Sequence, residues 1–448
     1  MALYLLGALT LALCAFVGAI IYGFIVPLRV HFRTDLPRLN PPEQFPHQND
    51  KPFVGLALSG GGSRAAVFAA AGMKALHARG VLEHVSHVSS VSGGGFAAAY
   101  WALYPMQFAI SSKSYFAQMQ SVMAHDFFWH VQMRQLVKPS RAFSPSRRLV
   151  SLQNALDQPD FLNGACFADL PRDRQFFFNA VSYDTGQRFI FSNSTLPAPD
   201  VPEGAVLPAA LRSLSFSDAN GIRETPAAVP ISLAVATSAA FPPYLGPATI
   251  QIDESDGTAK EYWHLGDGGI VENSGIETLR EAVYARGENQ RAVIYVFNAG
   301  QRLDSVLSKK SHDISIWSRE VTRLVDVLLE YATAHRVTMF DALDRKHGMQ
   351  IDVIEFDYLD VARLARAETP PNERWLSWDG WYYATHADRM ASKTPADHLA
   401  KIPTALRITP SHQELIAAAA DYLVNHRLSA PNGKQRVGLT DVQIGHTA

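Results

Sequence analysis

The chain has 448 residues, 47% hydrophobic and 18% charged, enough for one large domain or two ordinary ones with a full core. A formal net charge of −2 gives no electrostatic footing for nucleic acid as a partner. Two cysteines, Cys14 and Cys166, exclude a disulfide framework, and no Cys/His cluster has zinc-site spacing.

The N-terminal "MALYLLGALTLALCAFVGAIIYGFIVPL" carries no charged side chain, and residues 4–26 are long enough to cross roughly 30 Å of hydrocarbon. Arg29, His31 and Arg33 follow and nothing basic precedes, so the positive-inside bias puts the C-terminal side in the cytoplasm. This predicts a retained single-span membrane anchor over residues 1–28. A cleaved secretory signal is the alternative, weakened by the missing basic n-region. Leu13 ahead of Cys14 disfavours a lipoprotein site. Residues 29–50, polar and proline-rich in "TDLPRLNPPEQFPHQND", read as an extended linker between membrane and domain.

From Pro52 the pattern changes. "FVGLAL" reads as a buried strand, a glycine stretch follows, and "RAAVFAAAGMKALHARG" is helical with Gly80 as its stop. "VSHVSSV" is the next strand, and Ser92 opens the next helix. Strand–helix–strand–helix argues for parallel pairing with helices on the faces of the sheet. Further strands are predicted at "QFFFNAVSY", "RFIFSN" and "RAVIYVFNA", and "ATIQIDESDGTAKEYWHLGDGG" reads as a hairpin closed by an Asp-Gly turn. Its acidic "DESDG" lacks EF-hand spacing and reads as a solvated turn.

"YPMQFAISSKSYFAQMQSVMAHDFFWHVQMRQLV" (residues 104–137), rich in methionine and aromatics, suits either core packing or a lid and acyl-chain surface. Beyond about residue 310 the chain reads as helical, with Ile314, Trp317, Val321, Leu324, Leu328 and Tyr331 along one face. Trp375, Trp378 and Trp381 with Tyr382 and Tyr383 invite an interface reading, with buried packing as the default. "SHQELIAAAADYLVNH" opens with a capping box, Ser411 with Glu414. The organisation is an anchor, a linker, a catalytic domain over 51–305, a helical extension packed on it over 306–428, and a tail over 429–448.

Three short stretches carry chemistry. In "SVSGG" (residues 90–94) a tight strand-to-helix turn would push the Ser92 hydroxyl out of the sheet's end, with small neighbours to avoid clashes. Ser90 stands where the G-x-S-x-G pattern has its first glycine, which puts strain at that position in question. "SGGGSR" (residues 59–64) lies between a strand and a helix. Its glycines leave amides open to an oxyanion or a phosphate, yet neither G-x-x-x-x-G-K-[ST] nor a clean G-x-G-x-x-G is present. "WHLGDGGIVENSG" (residues 263–275) places Asp267 at a strand end before two glycines, as a base or as a turn former.

Together these stretches resemble the patatin-like phospholipase superfamily, with the cytosolic phospholipase A catalytic domain as a relative. "SGGGSRA" resembles the family's oxyanion block, "VSGGG" its nucleophile elbow, "ATSAAFPPYLGP" its third block and "GDGGIVEN" its aspartate block, over about residues 52–300. "SYDTGQRFIFSN" fits a strand pair between them. The resemblance implies a three-layer α/β fold with a mostly parallel central sheet, here with an N-terminal transmembrane helix and a C-terminal helical extension. It implies Ser92 as nucleophile and Asp267 as base of a Ser–Asp dyad, with Gly60, Gly61 and Gly62 as the oxyanion hole. Gly93 would support the elbow. Arg64 would brace the loop and help hold an anionic head group. Ser59 and Ala65 stand where plant patatins have aspartate and glycine, and lean towards the cytosolic phospholipase variant.

The expected protein is a membrane-anchored acyl hydrolase of the phospholipase A or lysophospholipase type. It acts on glycerolipid esters at the bilayer and needs no metal or organic cofactor. Two other readings stay open. One is an inactive binding or scaffold protein on the same fold. The other is a Ser-His-Asp esterase using His264, His312, His335 or His347. Ser63 is a rival nucleophile on paper.

Overall fold

The β-branched and aromatic runs of the sequence pair into a single mixed sheet. The structure, a computed structural model, describes residues 2–25, 29–33, 52–106, 109–138, 141, 145–193, 225, 228–242, 244–253, 260–287, 289–300, 327, 339–361 and 398–429. The strands are β1 (Arg29–Arg33), β2 (Phe53–Leu58), β3 (His87–Val91), β4 (Gln175–Ser182), β5 (Arg188–Ser192), β6 (Ala248–Asp253), β7 (Lys260–Asp267), β8 (Arg291–Asn298) and β9 (Gln350–Asp357). Among the described residues their order is β1-β6-β7-β4-β3-β2-β8-β9, with β5 also on β4. From β4 through β3, β2 and β8 to β9 every pairing is parallel, so the heart of the sheet has the crossover topology that helices between strands impose.

Helices cover both faces. Within β2, Val54, Leu56 and Leu58 join one apolar cluster, while Phe53 and Ala57 join another, as the alternation of a strand requires. The first cluster is built with α2 (Gly62–His77), α3 (Gly94–Leu103), α4 (Ser112–Met123), α7 (Ile231–Ser238) and α9 (Pro410–Ser429). The second is built with Leu279, Ala282 and Val283 of α8 (Ile276–Tyr284). This is the expected three-layer α/β arrangement. Helices α5 (Phe127–Val137) and α6 (Pro145–Leu156) pack against each other outside α3 and α7.

At the N-terminus, α1 (Ala2–Ile25) has a stretch, Tyr4–Tyr22, long and apolar enough to cross a membrane, and none of it is buried by the rest of the chain. Three expectations change. Arg29–Arg33 does not begin a linker but pairs in parallel with β6 as the edge strand β1, because alternating Val30 and Phe32 suit a strand. The proline-rich segment, residues 34–50, lies outside those described. Gln350–Asp357, in a region read as helical, is a strand parallel to β8. The last helix is capped by Thr409, whose Oγ1 accepts from the His412 N–H at 3.4 Å, with Pro410 in the first turn where its missing N–H costs nothing. Ser411 is thus inside the helix. The β6–β7 hairpin forms as expected, from Ala248↔Leu265 to Asp253↔Lys260, and its turn lies outside the described residues. The same holds for residues 314–326, 328–337 and 375–383.

Candidate active site

The topology brings two strand ends nose to nose. Residues 177–181 of β4 pair along one edge with β5. Along the other edge β3 runs parallel to β4 and stops at Val91↔Asn179, while β7 runs antiparallel and stops at Asp267↔Ala180. Two strands thus share one edge of β4 and end at successive residues. Ser92 follows the end of one, and Asp267 is the end of the other.

Their side chains meet in that gap. Ser92 lies close enough to Asp267 to pull its carboxyl pKa down, and Asp267 Oδ1 accepts from the Gly269 N–H at 2.7 Å. Ser92 is 8% and Asp267 3% exposed. Burial pushes the Asp267 carboxyl up to about 7, against the downward pull of the Gly269 and Ser92 donors. Ser92 has φ 49°, a left-handed conformation uncommon for a non-glycine residue. The strain therefore sits on the serine itself. Ser90 stays within β3, its hydroxyl donating to Phe177 O at 3.2 Å, and no positive φ is asked of it.

The glycine loop packs directly on this turn. A Cβ added to Gly60 would lie 3.2 Å from Ser92 Cβ, and one added to Gly93 would lie 2.0 Å from Gly62 O, so backbone touches backbone. Gly62 has φ +62° and no room for a side chain, because a Cβ would meet Ala405 O at 2.3 Å. The three loop amides are not equivalent. The Gly60 N–H donates to Asn273 O at 3.0 Å, which removes it from the expected oxyanion set. Among the described residues the amides of Gly61, Gly62 and Gly93 have no protein acceptor. Helices α2 and α3 both begin beside Ser92, adding the positive ends of their dipoles.

Arg64 is a brace. Its side chain is 1% exposed, and its fork donates to Ala299 O at 2.7 and 3.0 Å, Ile402 O at 2.7 Å and Thr404 Oγ1 at 2.9 Å. A guanidinium so enclosed does not face a lipid head group, and that part of the expectation is withdrawn. Ser63, the rival nucleophile, is fully buried in α2, with its N–H given to Ala405 O at 2.8 Å. His264 does not reach Asp267. The two lie three residues apart on β7, hence on opposite faces, and His264 Nδ1 pairs with Asp184 Oδ1 at 2.9 Å. His347 packs on Tyr284, away from the dyad, and His312 and His335 lie outside the described residues.

Several residues near the dyad went unremarked in the sequence. Ser238, at the end of α7, accepts the Ser92 N–H at 2.8 Å and donates to Asn179 O at 2.5 Å, the carbonyl left open where β3 gives way to β7. Behind it Asn179 bonds Ser89 and Ser90, Thr278 donates to Asn179 Oδ1, and Arg188 bonds Thr278 and Glu281 and pairs with Glu277 at 3.2 Å. The half-exposed Tyr183 lies over Gly266, and burial followed by the Asp267 charge raises its phenol to about 12. Asn273 brings its side-chain amide between Gly60 and Gly269. Ser238 and Asn273 lie inside recognisable blocks, but a lone polar residue among small ones carries no signal of its partner.

The Patatin-like phospholipase family model matches residues 56–280. Among solved structures, human GIVD cytosolic phospholipase A2 is similar at 12% identity and TM-score 0.47, over 86% of this chain and 60% of that one. VipD from Legionella pneumophila is similar at 14% identity and TM-score 0.27, over 58% and 52% of the two chains. The complex of full-length SpcU with full-length ExoU from the type III secretion system of Pseudomonas aeruginosa gives 14% identity and TM-score 0.22, over 89% and 75%. The chain thus spans about 60% of the length of the cytosolic phospholipase A2 it is similar to. No curated protein matches. The matched interval takes in the glycine loop, the serine turn and the aspartate block alike, and the chain belongs to the patatin-like phospholipase family.

Proposed function

We propose that this chain is a membrane-anchored lipid acyl hydrolase of the phospholipase A or lysophospholipase type, working through a Ser92–Asp267 dyad. The observation that carries the reading is the meeting of Ser92 with the buried carboxylate of Asp267, where β3 and β7 end at successive residues of β4. Ionised Asp267 takes the hydroxyl proton as Ser92 Oγ attacks the ester carbonyl. The oxyanion that forms is met by the open amides of Gly61, Gly62 and Gly93, each such donor worth about 3 kcal/mol in a preorganised site. The proton on Asp267 passes to the departing alcohol as the ester bond breaks. Asp267 then takes a proton from water, which attacks the acyl-serine and frees the fatty acid.

Proton acceptor and anion stabilisation both come from the chain, so the scheme calls for no cofactor. The N-terminal apolar helix holds the enzyme at the bilayer that carries its substrate, with the catalytic domain on the cytoplasmic side. The test is hydrolysis of a panel of glycerophospholipids, lysophospholipids and neutral glycerides, with products identified by mass spectrometry. Wild-type protein should release fatty acid, while Ser92→Ala and Asp267→Asn should be folded and inactive. Full turnover by folded Ser92→Ala ends the nucleophile assignment. No turnover by wild type on any lipid favours a binding protein on this fold.

A further inference from the structure

Helix α5 buries two apolar residues and leaves a second apolar row facing outward. Phe127, Val131 and Gln135 point inward, and Trp129, Met133, Leu136 and Val137 point outward. Positions 129, 133, 136 and 137 form the i, i+4, i+7, i+8 row of one helical face. Leu136 and Val137 are 72% and 75% exposed, while the polar Gln135 beside them is 9% exposed. The neighbouring α4 is ordinary by comparison, burying Tyr115, Phe116, Met119, Val122 and Met123. The methionine- and aromatic-rich segment thus divides, with core packing in α4 and an uncovered surface in α5.

Cations border that surface. A groove of about 400 Å³ is lined by His130, Met133, Arg134, Val137, Lys138 and Arg141. Among the described residues, none of Arg134, Lys138 and Arg141 lies within ion-pair distance of a carboxylate. Burial, and then the charges of Arg134 and Arg147, disfavour the protonated form of Arg141, a strain that a bound anion would relieve.

The surface is also continuous with the N-terminal span. The Arg147 guanidinium of α6 lies 4.8 Å from the ring centre of Tyr22, at the C-terminal end of α1. Residues 26–28 alone separate α1 from β1 at the sheet edge. An α1 that crosses a bilayer therefore brings α6, and α5 packed beside it, to the level where the helix leaves the hydrocarbon. A tyrosine at that end is the ordinary anchor at a membrane–water boundary.

We propose that the outward face of α5 lies in the head-group layer of an anionic phospholipid bilayer. Trp129, Met133, Leu136 and Val137 enter the acyl boundary, and Arg134, Lys138 and Arg141 meet lipid phosphates. The idea deepens the proposed function and rests on it for its purpose. The Phe128 N–H donates to Leu406 O at 3.0 Å, and the preceding Ala405 accepts the Ser63 N–H beside the glycine loop. Seating α5 on lipid thereby sets the glycine-loop side of the site towards substrate.

The experiment places a nitroxide on the full-length chain, with Cys14 and Cys166 replaced by alanine. The label sits at Leu136→Cys or, as a control on the opposite sheet edge, at Asp352→Cys in β9. Protein is reconstituted in vesicles of phosphatidylcholine, with or without phosphatidylserine. Collisions of the label with oxygen and with a nickel chelate report its depth. With phosphatidylserine, the oxygen-to-nickel ratio at 136 should exceed that at 352 several-fold. The excess should shrink without phosphatidylserine and in Arg134→Glu/Lys138→Glu/Arg141→Glu. Equal nickel access at 136 and 352 would overturn the proposal. So would protection at 136 that is unaffected by lipid composition and accompanied by spin–spin broadening, which would point to a second copy on this face. Depth needs no turnover, so an inactive enzyme with a deep label would defeat the hydrolase reading and leave the membrane face standing.

Discussion

In the proposed mechanism Asp267 sets the pH response of the site, because only its ionised form can accept the Ser92 proton. Burial holds its pKa at about 7. The account predicts kcat/KM falling roughly tenfold per unit as pH drops below that value. A pH–rate profile on a soluble ester checks it, and a flat profile down to pH 5 would remove Asp267 from the base role. The same shift has the opposite sign for stability. A carboxyl raised above its unfolded value weakens the fold as it ionises, so Asp267→Asn should melt higher than wild type at pH 8 and no higher at pH 3. Ser238 belongs to the same scale. Ser238→Ala frees the Ser92 N–H and the Asn179 carbonyl, and should lower kcat by roughly 10- to 100-fold with little change in KM. Ser238→Thr should recover part of the loss. The placement of Ser92 and Asp267 at strand ends beside a glycine loop was legible in the sequence, because tight turns demand small neighbours at fixed places. The bonded amide of Gly60 was not. Ser238, Asn179 and Thr278 were not, since a polar residue in an apolar run shows its meaning only when its partner is known.

At the level of elements, the glycine loop is held from behind by a strap of chain over residues 402–405. Arg64 ties the two together through Ala299 O, Ile402 O and Thr404 Oγ1, and Ala405 closes on Gly62 and Ser63. Arg64→Lys keeps the charge but loses the fork, leaving buried carbonyls without donors. It should destabilise the fold by roughly 2 to 4 kcal/mol in urea titration. A loss below measurement error would mean the strap does not depend on the guanidinium. The pattern of residues revealed β2, β3, β4, β5 and β8, because each is a short apolar run between turn signals. It did not reveal β9, a sheet-edge strand whose run QIDVIEFD is interrupted by Asp352 and Glu355 and is largely uncovered over its first half. The function of β1 was hidden for a different reason: a short edge strand following a long apolar helix looks like the helix's charged flank.

Across the whole molecule, acid sensitivity should trace to one buried imidazole. His87 stands at the start of β3, stacked on Phe53 at 4.1 Å between ring centres, and burial followed by the Arg286 charge lowers its pKa to about 3. A neutral histidine in the fold competes with a protonated one in the unfolded chain. Its stability contribution is complete above pH 6.5 and is lost as pH falls towards 3, with a slope of up to about 1.4 kcal/mol per unit. His87→Phe keeps the stacking and should flatten that slope in denaturant titrations between pH 6.5 and 4. The architecture as a whole was readable from alternating strands and helices. How α1, β1 and α5 combine at one end was not, because exposure on α5 is a property of what the rest of the fold leaves uncovered.

The central claim is that Ser92 carries the acyl group. Its most direct test is reaction of the folded full-length protein with a fluorophosphonate, followed by mass spectrometry of the digested chain. The account predicts one equivalent of label on the peptide containing Ser92, and sharply slower labelling in Asp267→Asn. Label on Ser63 or any other residue, or an active enzyme that takes up none, would contradict it.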